Sequence, residues 1–321
     1  MTDFSHPFPF DPTYGHDLDS LLAVGPPEHR PTDFDAFWQA RYAAAREVEV
    51  RPELGPPVAR TADGATVHEV GYGSTGGVRL GGWLVRPADG VVERGLVMGH
   101  GYDGCHLPLP PLPVPRAAAF FPVARGLGAR SLRTDIPADP REHVLHGIAD
   151  HATYVIGDAV ADLVWCAASA LLELVPEAAP RLDYCGISFG GGVGALGLPW
   201  DDRYRSAHLT VPTFGNHPLR VTLECVGSGT AVRQRWLERP EVLDVLGYFD
   251  AATAATRLRI PVQVAGALFD PSVPPPGQFA VHNALAGERR LHVLPAGHFR
   301  GYPQWAADED RLQAAIGAFL A

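Results

Sequence analysis

The amino-acid sequence predicts an α/β fold, a mostly parallel central sheet with helices on both faces, and three observations carry that expectation. A glycine-framed pentapeptide, Gly186-Ile187-Ser188-Phe189-Gly190, separates a short apolar strand candidate, Leu182-Asp183-Tyr184-Cys185, from a small-residue helix start, Gly191 to Leu196. Two further strand candidates, Pro261 to Gly266 and Arg290 to Leu294, run into loops that carry Asp270 and His298. A long helical pattern, His151 to about Val175, stands before the pentapeptide, where a crossover helix between parallel strands belongs.

The remaining elements follow in chain order. Asp33 to about Val48 has apolar residues at helical spacing, with Thr32 or Asp33 as its cap, and predicts a helical extension over about 30–50 that packs on the main body. Val67 to Gly73 and Val78 to Val85 alternate around Ser74-Thr75-Gly76-Gly77, which predicts an antiparallel hairpin at the sheet edge. Gly95 to His100 reads as a strand that ends in His100-Gly101-Tyr102. Leu107 to Pro115, with five prolines in nine residues, then reads as a stiff rim loop rather than a polyproline recognition segment. From Val211 to Arg259 only short helical pieces are legible, among them Thr230–Leu237 and Pro240–Leu246, and about 211–259 is expected to wall a pocket. A terminal helix runs to Leu320, no internal repeat is visible, and the whole of 1–321 reads as one domain.

The pentapeptide fits the pattern G-x-S-x-G, which sets a serine on a strained turn between a strand and a helix. Glycine flanks it because a side chain at 186 or 190 would strike neighbouring backbone at so sharp a corner. Ser188, Asp270 and His298 then follow in the order nucleophile, acid, base, the order of the α/β-hydrolase fold and not of the chymotrypsin or subtilisin arrangements. Loops at the carboxyl ends of parallel strands share one rim, so the three meet although they are far apart in the chain. A neutral imidazole at 298 would take the Ser188 proton, and the Asp270 carboxylate would orient the ring and stabilise its charged form. The backbone N–H groups of Tyr102 and Phe189 are expected to receive the oxyanion, with His100 bracing its loop. His292 lies within a strand candidate, which would point it into or away from the sheet rather than over the rim.

Composition narrows the class. A chain of 321 residues, 46% hydrophobic, with 35 glycines and 31 prolines, buries a large core. The net charge is −10 and the 26 basic residues are all arginine, which speaks against nucleic acid or an anionic membrane as partner. Cys105, Cys166, Cys185 and Cys225 show no C-x-x-C spacing and read as buried free thiols. Met1 to Pro12 lacks a basic start followed by an apolar run, and no run of about 18 apolar residues is legible, so a cytoplasmic protein is expected. Glu142, His143, His146 and His151 match no standard ligand spacing and are expected to flank the long helix rather than hold a metal.

Taken together these motifs resemble the acetyl xylan esterase and cephalosporin C deacetylase family. The likeness is carried by Pro31-Thr32-Asp33-Phe34-Asp35-Ala36-Phe37-Trp38, His100-Gly101-Tyr102, Gly186 to Gly192, Val211-Pro212-Thr213-Phe214, Tyr248-Phe249-Asp250, and Asp270 through Pro274-Pro275 to Gly297-His298. The resemblance implies hydrolysis of small acyl esters, usually acetyl, of sugars or related alcohols, without a cofactor or metal, by a homo-oligomer. It also brings departures. The family's arginine-glycine-glutamine-glycine motif is not found, and Arg130 to Asp135 is read as its counterpart. Phe189 replaces a glutamine and Phe299 a glutamate, which predicts an apolar mouth with Pro212, Phe214 and Phe299 as candidate pocket residues.

The expected function is therefore a serine esterase acting through an acyl-enzyme. A serine peptidase of the prolyl oligopeptidase type shares the triad order but brings a large extra domain. A non-catalytic binding protein on the same scaffold is disfavoured because all three triad positions are filled.

Overall fold

A computed structural model describes residues 4–321; residues 1–3, the start of the segment read for a leader, lie outside the described part. Nine strands form one sheet: β1 (Glu53–Arg60), β2 (Thr66–Ser74), β3 (Val78–Arg86), β4 (Arg94–Gly99), β5 (Ala117–Pro122), β6 (Leu182–Ile187), β7 (Tyr204–Thr210), β8 (Val262–Ala267) and β9 (Arg289–Leu294). Their spatial order is β1-β2-β3-β5-β4-β6-β7-β8-β9. The pairs β1/β2, β2/β3 and β3/β5 are antiparallel, and every pair from β5 to β9 is parallel. The parallel strands β5 and β8 are buried along their whole length, as strands covered by helices on both faces must be.

The helices are α1 (Leu18–Leu22), α2 (Phe34–Arg46), α3 (Pro140–His143), α4 (Val155–Leu174), α5 (Phe189–Gly197), α6 (His217–Arg220), α7 (Ser228–Glu238), α8 (Val242–Leu246), α9 (Ala251–Ala255), α10 (Pro275–Ala284) and α11 (Trp305–Leu320). α4 is the crossover into β6 and widens into a π-turn at Ala161–Trp165. It is long and apolar enough to cross a membrane by length and composition, an outcome the sequence reading missed. Here it is a core helix, 83% of its most apolar stretch being buried inside the protein. It starts at Val155 rather than His151, whose ring is instead stacked 4.4 Å from that of Tyr248.

Three other expectations are corrected. The β2/β3 hairpin is present but is not the edge. β1 covers it, a strand that carries Pro56 and Pro57 and pairs through irregular register, so its sequence did not read as a strand. β5, Ala-Ala-Ala-Phe-Phe-Pro, also went unread because alanine is a poor strand former, and it holds its place by total burial between β3 and β4. Asp33 does precede α2, yet its carboxylate makes no cap; it accepts a hydrogen bond from the Tyr248 hydroxyl at 2.7 Å. The four cysteines are buried and unpaired.

One buried ion pair ties α4 to the loop after β5. Arg125 meets the fully buried Asp162, on the π-turn, with Nε at 2.9 Å from Oδ2 and Nη2 at 2.7 Å from Oδ1. Its Nη1 reaches Asp158 at 2.9 Å, and Ser74 donates to Asp162 at 2.5 Å. Burial alone would lower the guanidinium; Asp162 and Asp158 outweigh it and hold Arg125 above its ordinary value. Arg125-Gly126-Leu127-Gly128 has an arginine-glycine-x-glycine spacing, with leucine at the third position, a few residues before Arg130 to Asp135.

Candidate active site

The strand order reverses about β4, because β5 lies on one side of it and β6 on the other. A crevice therefore opens beyond the carboxyl ends of these strands, where open α/β sheets place their ligands. The loops after β4, β6, β8 and β9 bring His100 to Tyr102, Ser188, Asp270 and His298 to that rim.

Ser188 links β6 to α5 with φ 54° and ψ −109°, a conformation costly for any residue with a Cβ. The turn is held from both sides. The Ser188 N–H donates to the Thr210 carbonyl at 2.8 Å, and the Thr213 N–H donates to the Ser188 carbonyl at 3.2 Å. The flanking glycines are required by contact: a Cβ on Gly186 would lie 2.5 Å from the Gly190 oxygen, and one on Gly190 only 2.4 Å from the Gly99 backbone. Such a collision would force the turn apart.

Ser188, His298 and Asp270 form one hydrogen-bonded chain. Oγ of Ser188 donates to Nε2 of His298 at 2.9 Å, and Nδ1 of His298 donates to Oδ2 of Asp270 at 2.8 Å. Asp270 is completely buried. Its Oδ2 also accepts from Gln278 Nε2 at 2.9 Å, and its Oδ1 accepts the N–H groups of Ser272 and Val273 at 2.8 and 2.9 Å. The carboxylate has no freedom to turn. Burial pulls the His298 imidazole down, but the Asp270 charge and hydrogen bond outweigh it and hold the ring above its ordinary value of 6.5. Gln278, on α10, escaped the sequence reading, since nothing local marks a glutamine as the support of an acid eight residues earlier.

On the other side of Ser188, the N–H of Tyr102 makes no hydrogen bond among the described residues, and that of Phe189, first in α5, has no intrahelical acceptor. The loop that carries Tyr102 is braced by His100, as expected. The buried His100 ring donates from Nδ1 to the Gly101 carbonyl at 2.6 Å and accepts from the Ala124 N–H at 3.1 Å. Because Ala124 adjoins Arg125, this loop is tied through the buried ion pair to α4.

These loops enclose a cavity of about 940 Å³. Of the candidate pocket residues only Phe299 lines it. Pro212 and Phe214 lie beneath the wall instead, because positive φ at Val211 (40°) and Phe214 (68°) turns Val211 and Thr213 toward the cavity. Phe214 descends onto the glycine-rich α5, where a Cβ on Gly192 would meet its ring at 2.7 Å. Phe189 is likewise absent from the mouth: its side chain is fully buried, with its ring 4.4 Å from that of Tyr102 and 6.1 Å from that of Phe214. Of the aromatic residues expected at the mouth, Phe299 alone lines the cavity, where Tyr302 and Trp305 join it. Phe189→Gln would bury an amide among aromatic rings and is expected to lower stability by about 1–3 kcal/mol in urea denaturation.

The chain's first described residues strap over this rim. Phe4 packs edge-on against Phe269 at 5.2 Å and within 5.9 Å of Phe299. The Pro12 carbonyl accepts the N–H of Asp270 at 3.0 Å, and the Tyr14 hydroxyl donates to the Glu224 carbonyl at 2.5 Å. Segment 211–259 contributes Thr213, Arg220 and Val226 to the cavity lining, of which Arg220 lies on a short helix. His143 takes no part in the cavity, its Nε2 lying 3.0 Å from the Arg125 carbonyl.

Fold and site geometry together define an α/β-hydrolase. The family model of acetyl xylan esterases matches residues 15–313, so the chain belongs to the acetyl xylan esterase family and is a carboxylic ester hydrolase of the acetyl esterase kind. Among solved structures it is similar to acetyl xylan esterase 1 from Thermoanaerobacterium sp. JW/SL YS485, at 19% identity over 97% of this chain and 100% of that one, with a TM-score of 0.77. It is similar also to the acetyl xylan esterase from Paenibacillus sp. R4, at 21% identity over 94% and 99% of the two chains, with a TM-score of 0.73. Acylaminoacyl peptidase from Pyrococcus horikoshii shares the fold at 14% identity and a TM-score of 0.56, over 85% of this chain but 42% of its own. No curated protein sequence matches the chain.

Proposed function

We propose that the protein is a serine esterase that removes small acyl groups, acetyl above all, from sugars or related alcohols through a covalent acyl-enzyme. The observation that carries this reading is the chain from Ser188 Oγ through His298 to the buried Asp270, at the floor of an open cavity. In this reading Ser188 attacks the ester carbonyl as His298 Nε2 takes its proton, and the tetrahedral oxyanion accepts the Tyr102 and Phe189 N–H groups. His298 returns the proton to the leaving alcohol. A water molecule, deprotonated by the same ring, then attacks the acyl-Ser188 ester, and as the acyl–Oγ bond breaks the imidazolium returns that proton to Ser188 Oγ and the acid leaves. Asp270 keeps Nδ1–H in place and stabilises the imidazolium at each step. Acid-quenching the enzyme with an activated acetate ester and mapping the product by mass spectrometry tests this directly. One acetyl group on the peptide containing Ser188 is expected; acetyl on any other residue alone overturns the assignment.

The protonation state of His298 sets the pH dependence. Only the neutral ring accepts the Ser188 proton, so kcat/KM rises with pH through the His298 ionisation. Since Asp270 holds that ionisation above 6.5, the midpoint of the rise is expected above pH 6.5. Asp270→Asn removes the charge that raises it, so the midpoint moves to lower pH while activity drops by about 10⁴-fold. A midpoint that stays put in Asp270→Asn would show that another group titrates.

A further inference from the structure

We infer that Arg220 is an anion anchor and that the substrates of this esterase carry a carboxylate in addition to the ester. The inference rests on the ester-hydrolase reading of the same cavity and names its substrate class. Arg220 ends α6 and lines the cavity, yet it is only 5% exposed. Its guanidinium has neither a hydrogen bond nor an ion pair among the described residues, and its Nε is buried without a partner. The Phe214 ring, 5.7 Å from the guanidinium carbon, gives it a face to lie on but no acceptor.

An arginine stays charged at any pH the fold survives, and a buried charge without a partner is costly enough that proteins pair it or use it. Glu224, four residues on, is exposed, and the buried carboxylates of the surrounding segments are committed elsewhere. Asp250 accepts the N–H groups of His217 and Thr253, and Asp270 is saturated by four donors. A second unpaired donor lies in the same wall, since the Tyr102 hydroxyl is buried without a partner and Tyr102 also lines the cavity. Its backbone N–H is the proposed oxyanion donor, so this wall and the reacting carbonyl belong to one site.

The missing partner is therefore an acceptor that carries negative charge and enters from the cavity. A planar carboxylate fits a guanidinium fork in a two-point contact, and a single cation balances a single negative charge. The hydroxyls of a neutral sugar would leave the charge unbalanced.

The carboxylate could belong to the acyl part or to the alcohol part, and two pairs of esters separate these sources. Phenyl hemisuccinate against phenyl succinamate tests the acyl side; O-acetyl lactate against O-acetyl lactamide tests the alcohol side. In one pair the wild-type enzyme is expected to prefer the charged ester in kcat/KM by about 10- to 100-fold, the range for a hydrogen-bonded charge. Arg220→Met should bring that ratio close to one, mainly through KM, and Arg220→Lys should restore part of it. Ratios near one in both pairs for the wild-type enzyme, or a ratio unchanged in Arg220→Met, overturn the inference while leaving the esterase reading intact. Binding separates the two readings in the other direction. Succinate is expected to raise the melting temperature of Ser188→Ala, and not of Ser188→Ala carrying Arg220→Met; that result with no turnover of any ester keeps the anchor and discards the esterase mechanism.

Discussion

Ser188→Ala is expected to lower kcat for an acetyl ester by about 10⁴-fold or more, the scale on which serine hydrolases depend on their nucleophile. Labelling by a fluorophosphonate should vanish with it. The fold should survive, because among the described residues the only hydrogen bond the Ser188 hydroxyl makes is to His298. The backbone at 188 stays at positive φ in the mutant, so alanine inherits the strain. Ser188→Gly, equally inactive, relieves it and is expected to melt above Ser188→Ala by the equivalent of about 1 kcal/mol. Comparing the two variants by probe labelling and thermal melting separates chemistry from conformation. Labelling that persists in either one sinks the nucleophile assignment.

The largest stability effect is expected at Arg125. Arg125→Met leaves the Asp162 carboxylate fully buried and without its cation, a change that typically costs about 3–5 kcal/mol. That is a large share of the roughly 5–15 kcal/mol that holds a domain together. Replacing both partners, Arg125→Met with Asp162→Leu, removes the unpaired charge and should recover most of the loss. Urea denaturation of the two variants decides it. If the single mutant unfolds within about 1 kcal/mol of the wild type, the pair is not the clamp described above. Activity should fall in the single mutant beyond what unfolding explains, because the clamp adjoins the Ala124 N–H that bonds the His100 ring.

What the sequence revealed about the site was its skeleton, and it did so where local rules are strict. Glycine at 186 and 190 has no substitute at that corner, and Asp270 and His298 are signalled because each lies in the loop just after a strand that the sequence makes legible. Long-range packing hid the rest. β1 is masked by its prolines and β5 by its alanines, since both are held by neighbours that no local pattern names. The direction of a side chain was least legible. Phe189 and Phe214 stand beside site residues in the chain, yet both rings turn into the core because small residues of α5 leave them room. Arg220 reads as an ordinary loop arginine until the absence of any partner is seen in three dimensions. Gln278 and the aromatic strap from Phe4 to Tyr14 are of the same kind, with partners too distant in sequence to predict.

That strap gives the enzyme's birth a direction. Its first aromatic residues leave the ribosome long before the segments they dock on, and Tyr14 must wait for a carbonyl 210 positions later. Ser188 is made well before the loop that carries Asp270, and the Asp270 N–H can meet the Pro12 carbonyl only once that loop has been made. A nascent chain therefore carries Ser188 first, Asp270 next and His298 last of the three. The strap can dock only after the segments that carry Asp270 and Phe299 have been made, so that contact couples distant parts of the chain to the rim of the site.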